Sequence, residues 1–403
     1  MVAQKMALAP LSRQVVAAIF CSAFLLAAAS AQTFSVLYTF DLGTYPEGTL
    51  TLDGAGNLYG TTFAGGDYDY GSVFKLSHSN SAWVLNTLYS FGAGGYTDGR
   101  NPAGQVLRDE SGVLYGTTHQ GGGGLGEGTV FKLAPPPTPP VSAISPWIEV
   151  QLYDFGLQGT GGWDPSADLA FDAEGNLYGT TAGGGVYRYG TVYKLTRSPG
   201  RWIFSVFYSF DRTQGFQPMS GVTFDATGNL YGTLFAGGAN GAGSVYQITP
   251  SGSATVLYSF NGSYDGANPQ AGVTFDAAGN LYGATSTGGA GGGGVVFELS
   301  PSNGTWIYTP IYSLSGSGGP LRSLVFDSAG NLYGTAYRDG ANYLGSVFKL
   351  TPSNGSWIYS SLHDFAGGSD GEYPIGGPAL DENGNLYGTT SQGQNGIFEI
   401  TPN

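Results

Sequence analysis

One tetrapeptide constrains this chain more than any other feature. Asn-Leu-Tyr-Gly, or a close variant, occurs seven times, with its tyrosine at Tyr59, Tyr115, Tyr178, Tyr231, Tyr282, Tyr333 and Tyr387. The spacings are 56, 63, 53, 51, 51 and 54 residues. Self-similarity at such a period marks an array of structural units. Two further positions keep register with it. An aspartate stands six residues before each tyrosine: Asp53, Asp109, Asp172, Asp225, Asp276, Asp327 and Asp381. A proline stands seven residues before each aspartate: Pro46, Pro102, Pro165, Pro218, Pro269, Pro320 and Pro374. Each repeat is therefore one unit, with a fixed strand and turn between its proline and its tyrosine.

Four strands can be read in every unit. The first is short and apolar, as at 272–276, and the second is the tetrapeptide with its following threonines. The third is Gly-Ser-Val-Phe-Lys-Leu, as at 71–76 and 345–350, and the fourth runs as at 202–210 and 306–314. Each is expected to span 5 to 9 residues rich in Val, Tyr, Phe and Thr, bounded by Gly, Asn, Asp or Pro. Such a four-stranded period is that of a β-propeller blade. The 70 glycines fit this reading, because they accompany 41% hydrophobic residues and follow no collagen-like period.

The ends specify how the ring closes. Residues 34–40 read as a fourth strand with no blade before it, and 396–400 as a third strand with none after it. Pairing the two completes a blade and removes the open edges. The expected fold is all-β: a seven-bladed propeller of four-stranded blades, closed by the N-terminal strand. A linear solenoid is the competing architecture, but it wants capping repeats rather than complementary half-blades.

The organisation is one domain behind a leader. Residues 1–31 read as a signal peptide: Lys5 and Arg13 precede an apolar run from Val15 to Ala29, and Ala29-Ser30-Ala31 is a small-x-small cleavage site. A membrane-spanning anchor needs about 20 apolar residues, more than this run supplies. The single cysteine, Cys21, lies inside the leader, so the mature chain folds without disulfides and suits an oxidising compartment. Residues 32–403 are the propeller, and the proline-rich stretch 134–140 is a loop insertion, because the repeat resumes on both sides of it. Removal of the leader takes the formal charge from −14 to −16. That balance disfavours nucleic acid, whose phosphates demand a basic stripe, and stable association with anionic membranes. The oligomeric state is left open, and no cofactor is indicated.

The recurring Asp-Gly-x-x-Pro, Gly-Asn-Leu-Tyr-Gly-Thr-Thr, Gly-Gly and Gly-Ser-Val-Phe-Lys-Leu segments resemble the GloVer tandem-repeat family of secreted and surface bacterial proteins. The resemblance covers essentially the whole mature chain. It implies an exported repeat protein, with anchors appended in some members, and no established activity. No anchor is expected here, since the sequence stops soon after its last strand. The Asp-x-x-Gly-Asn hairpin is also similar to those of lactonase-like and lyase-like propellers, a likeness of fold that carries no residue roles.

Alternating connections divide the loops between two faces. One collects the Asp-x-x-Gly-Asn hairpins and the turns between third and fourth strands. Its aspartates offer one carboxylate per turn, too few oxygens for a calcium cage, so they are read as turn-fixing acceptors of backbone N–H groups. The other face is variable, and variation on a rigid scaffold is where binding concentrates. Its candidate ligand-binding residues are Tyr68, Tyr96, Asp98, Trp163, Asp164, Tyr187, Tyr264, Asp265, Asp370 and Tyr373. Five of the six tryptophans begin fourth strands, where packing between blades explains them; Trp163 alone lies in a rim loop, beside Asp164. An exposed indole next to acids suits stacking on a sugar ring; the competing reading makes Trp163 a lid over its own loop.

Of the three histidines, His78 and His363 are expected to stay away from the variable face, and only His119 to reach it. One histidine makes no zinc site, the glycine-rich run 288–294 opens no helix that would cradle phosphate, and no nucleophile motif is present. The expected function is non-enzymatic recognition of a carbohydrate or protein ligand. An enzyme working through paired rim carboxylates and a purely structural envelope protein are the alternatives.

Overall fold

The computed structural model describes residues 32–402 except 81, 138–145 and 158–160, with the backbone alone at Tyr96 and Leu157. The leader 1–31 and part of the proline-rich insertion lie outside the described residues. Seven four-stranded antiparallel sheets follow one another. Blade 1 spans 51–90, blade 2 107–154, blade 3 170–209, blade 4 223–259, blade 5 274–313 and blade 6 325–364; blade 7 joins 379–401 to 33–39. In each, the first strand is innermost and the fourth outermost. The chain is a seven-bladed β-propeller.

Ring closure follows the expected route. Strand Thr33–Thr39 pairs antiparallel with Gly396–Thr401, placing Phe34 opposite Ile400. The Phe34 ring stacks on His363 of blade 6 at 3.7 Å and lies near Phe365 and Phe398. One aromatic side chain from the chain's start thus locks two blades.

The tetrapeptide owes its composition to packing between blades. Its leucine is buried and its tyrosine reaches the next blade: Tyr282 meets Phe326 edge-on at 4.9 Å and Trp357 at 5.8 Å, and Tyr231 meets Phe275 and Trp306 in the same way. Its glycine is needed for close approach. A Cβ at Gly283 would lie 2.6 Å from Phe297 Cζ, inside the aromatic layer. The following threonine ties neighbours together. Thr180, Thr233 and Thr335 each donate at 2.9 Å to a carbonyl of the next blade, on Ser220, Ala271 and Gly376. The outer-strand tryptophans are therefore packing residues, as their position suggested.

The innermost strands are shorter than expected. Each has only two residues, such as Thr274–Phe275. Seven strands crowd around one axis here, and the preceding carbonyls are taken by threonines of the adjacent blade instead of extending the ladder. The hairpin aspartate then ends the strand. Asp276 Oδ1 accepts the backbone N–H groups of Ala278 and Asn280 at 2.9 Å, while Oδ2 accepts from Asn280 Nδ2 at 2.8 Å and the Tyr282 hydroxyl at 3.2 Å. The carboxylate is fully engaged within its own turn. Among the described residues no helix is long and apolar enough to cross a membrane.

Candidate binding cleft on the variable face

Three of the candidate acids turn inward. Asp98 Oδ2 accepts the Tyr89 hydroxyl at 3.0 Å and the Gly92 N–H at 2.7 Å, and Asp265 Oδ2 accepts the Tyr258 hydroxyl and the Asn261 N–H, each at 2.9 Å. Both residues are only 7% exposed. Asp370 Oδ2 takes the N–H of Ala366 at 3.0 Å and lies 3.1 Å from His363 Nε2. These carboxylates hold the loops that lead from one blade to the next. The same geometry corrects the reading of His363. From the outermost strand it reaches the variable face and occupies the loop-holding place that Tyr89 and Tyr258 occupy elsewhere.

The candidate aromatics separate into two groups. Tyr68, Tyr187 and Tyr264 stand on three different loops, with Tyr264 81% exposed. Tyr96 lies in the short 3₁₀ turn Gly95–Thr97. Tyr373, by contrast, belongs to the mouth of the central channel, where its ring lies 5.1 Å from that of Tyr337 and the Arg338 guanidinium packs against both.

Trp163 and Asp164 also belong to the mouth. Five of the seven residues just before the recurring proline sit there in the left-handed region, with φ of 57° at Asn101, 60° at Asp164, 59° at Gln217, 55° at Asn268 and 55° at Tyr373. Non-glycine residues rarely adopt this conformation. At Asn101, Asp164, Asn268 and Tyr373 it directs the side chain over the preceding blade, onto the residue that follows that blade's second strand. Asn101 Nδ2 donates to Phe63 O at 2.8 Å, Asn268 Nδ2 donates to Phe235 O at 3.2 Å, and Asp164 Oδ1 meets His119 Nδ1 at 2.5 Å.

At the seam of blades 2 and 3 this arrangement opens a cavity of about 480 Å³, walled by His119, Glu127, Trp163 and Asp164. The indole of Trp163 rests on Gly183, to which its backbone is bridged, and it remains 39% exposed. Both sequence readings of Trp163 thus have a counterpart: one side covers its own ribbon and the other borders the cavity. The hydrogen bond to Asp164 raises the His119 pKa above its usual value; burial opposes this, and the charges of Asp164 and Glu47 add to it. Glu47, at the channel mouth, is itself pushed up by burial, against the opposing charges of Arg322 and His119. Arg322 reaches from blade 6 to donate to Ala103 O of blade 2 at 3.0 Å. Below it the channel encloses about 490 Å³, with Gln105 and Asp168 among its polar walls. Among the described residues no group of three or more His, Asp or Glu is placed to hold a metal ion.

His119 and Glu127 complete a cleft that Trp163 and Asp164 only begin. The signal for them was positional. The residue after the second strand varies from blade to blade (Phe63, His119, Ala182, Tyr337, Ser391), as does the residue before each proline.

Comparison with known proteins places this architecture. The extracellular domain described as part of a hybrid two-component system of B. thetaiotaomicron is 11% identical, with a TM-score of 0.54 over 92% of this chain and 40% of that one. PorZ, a bacterial surface component of the type-IX secretion system of Porphyromonas gingivalis, is 14% identical, with a TM-score of 0.54 over 87% of this chain and 46% of that one. A Trichoderma reesei carbohydrate-active enzyme of family AA12 is 12% identical, with a TM-score of 0.47 over 93% and 96%. The chain spans less than half the length of the first two, and those two likenesses establish fold alone. No curated protein matches the chain. The model of the Gloeobacter/Verrucomicrobia repeat matches residues 23–223 and 164–400, and the chain belongs to that family.

Proposed function

We propose that this propeller is an exported, non-enzymatic recognition protein that binds a carbohydrate in the cleft beside Trp163. One observation carries the reading: a partly exposed indole borders a cavity whose other walls are His119, Glu127 and Asp164. A sugar offers an apolar C–H face to an aromatic ring and hydroxyls to surrounding acceptors. Glu127 and Asp164 supply acceptors, and the free imidazole nitrogen of His119 supplies either a donor or an acceptor. The Gly183 support fixes the indole, which limits the ordering cost of binding. Export is supported by the leader-like residues 1–31 and by the family's resemblance to secreted repeat proteins. The folds shared with an extracellular domain and a surface component are consistent with it.

Glycan-array binding by the mature protein and by Trp163→Ala tests the reading. The expected result is a defined set of glycans bound by the native protein, weakened about tenfold or more by the substitution, as for a buried aromatic anchor. Unchanged binding in Trp163→Ala would remove the cleft from consideration.

A second reading has its own observation. A histidine oriented by a carboxylate, with a second carboxylate in the same cleft, is an acid–base arrangement. It predicts turnover in a screen of glycosides and lactones, abolished by His119→Gln.

A further inference from the structure

The hairpin face carries a feature that the fold does not require. Between blades 2 and 3 a cleft of about 430 Å³ is lined by Lys132, Arg197 and Arg201, together with Trp202 and Gln151. Three of the 14 basic residues converge there, in a chain of net charge −14. No carboxylate lines the cleft, and among the described residues none of the three cations forms an ion pair. Elsewhere the equivalent lysine is engaged locally: Lys194 Nζ lies 3.3 Å from Asp172, and Lys75 and Lys349 lie over Tyr59 and Tyr333.

Comparison between blades shows that the arginines are not there to make the hairpin. Arg197 faces Trp202 across the outer hairpin, and Arg201 faces Ser198. The position facing the tryptophan holds His78 in blade 1, Pro301 in blade 5 and Pro352 in blade 6, and the Arg201 position holds Ala82, Thr305 and Ser356. These hairpins keep the same register without either arginine. Both arginines are exposed, so desolvation does not dictate them either.

We propose that this cleft binds the oxyanion of an acidic sugar, a carboxylate or a sulfate ester. Two guanidinium forks can each offer paired N–H donors to such a group, and Lys132 adds a point charge. The half-buried Trp202 gives the sugar ring an apolar wall, and the exposed Gln151 amide serves its hydroxyls. A dense polyanion would meet repulsion from the rest of the acidic surface, whereas one localised oxyanion does not. The site lies on the face opposite Trp163 and stands independently of the cleft there.

The test is titration of the mature protein with glucuronate, glucose 6-sulfate and glucose, followed by NMR, at low and at physiological salt. At least one anionic sugar should bind, glucose should not, and affinity should fall as salt rises. Whichever anion binds identifies the oxyanion as carboxylate or sulfate. The double variant Arg197→Gln, Arg201→Gln should weaken binding about tenfold or more, as for lost charge-assisted hydrogen bonds, with Tm unchanged. Trp163→Ala should leave this binding intact. Absence of binding by both anions up to about 10 mM, roughly 3 kcal/mol of affinity, overturns the proposal. So does undiminished binding in the double variant.

Discussion

His119 Nδ1 and Asp164 Oδ1 meet at 2.5 Å across the seam between blades 2 and 3. The histidine follows the second strand of blade 2, and the aspartate precedes the proline that leads into blade 3. Their contact raises the imidazole's pKa above its usual 6.5. A raised folded-state pKa makes the pair's contribution complete below the ordinary histidine value and removes it as pH rises through the raised one. Asp164→Asn isolates the effect, because asparagine tolerates the left-handed backbone that position 164 adopts. The variant should bring the His119 pKa down, measured by NMR titration of its ring protons. It should also flatten the fall in stability above pH 6.5. A His119 pKa indifferent to the substitution would break the link.

Glu149 occupies a slot that blades 3, 5 and 6 fill with a ring. Tyr153 stacks on Phe204 at 3.6 Å, Tyr258 on Tyr308 at 4.3 Å and Tyr312 on Tyr359 at 4.1 Å. Phe204, Tyr308 and Tyr359 pair across their outer hairpins with Leu195, Leu299 and Leu350, and Glu149 pairs with the corresponding Leu133. Burial, with the charge of Asp98 adding to it, pushes its carboxyl up to about 7. The sign is opposite to that of a salt-bridged acid. Stability is complete below the ordinary glutamate value and declines as pH rises through about 7. Glu149→Gln should therefore be more stable than the native protein at about pH 8 and lack its slope between 4.5 and 7, read from urea midpoints against pH.

The ring was legible because its determinants recur in register. Asp276 and Tyr282 are six residues apart and touch within one hairpin, so a local spacing encoded a local contact. The complementary half-strands were readable for the same reason, each being a familiar piece of the repeat. The cleft was harder. His119 and Asp164 lie 45 residues apart in different repeats, and only the packing of blades side by side joins them. The inward turn of Asp98 and Asp265 was not legible, because acids in variable loops usually face water. Here Tyr89 and Tyr258, at equivalent strand positions, draw them inward. His363 was misjudged because a histidine replaced that tyrosine while keeping its donor.

Gly283 tests the account of the tetrapeptide. Its φ is not in the left-handed region, so alanine is acceptable to the backbone and only the space is in question. A methyl group there meets Phe297 Cζ at 2.6 Å and Val273 Cγ1 at 3.2 Å. Overpacking of this kind typically costs about 1–3 kcal/mol, and Gly283→Ala should lower the urea midpoint accordingly. A control is Gly279→Ala in the hairpin. It meets nothing within 4 Å but has a φ of 87°, and backbone strain alone should cost about 1 kcal/mol.

Phe34 connects the closing strand to both of its neighbours. Its ring lies flat on His363 of blade 6, with an interplanar angle of 5°, and stacks on Phe398 of blade 7 at 5.6 Å. Phe34→Ala removes these contacts while leaving the ladder from Thr33 to Thr39 able to form, since those hydrogen bonds use only backbone. The expected loss is about 3 kcal/mol, the lower end for truncating a packed phenylalanine, because this ring is partly exposed. Deleting residues 33–39 goes further and leaves Gly396–Thr401 with one unpaired edge. The truncated protein should unfold in more than one step and self-associate, measured by urea titration with two probes and by light scattering. A single cooperative transition and a monomeric state after the deletion would show that the ring closes without its N-terminal strand.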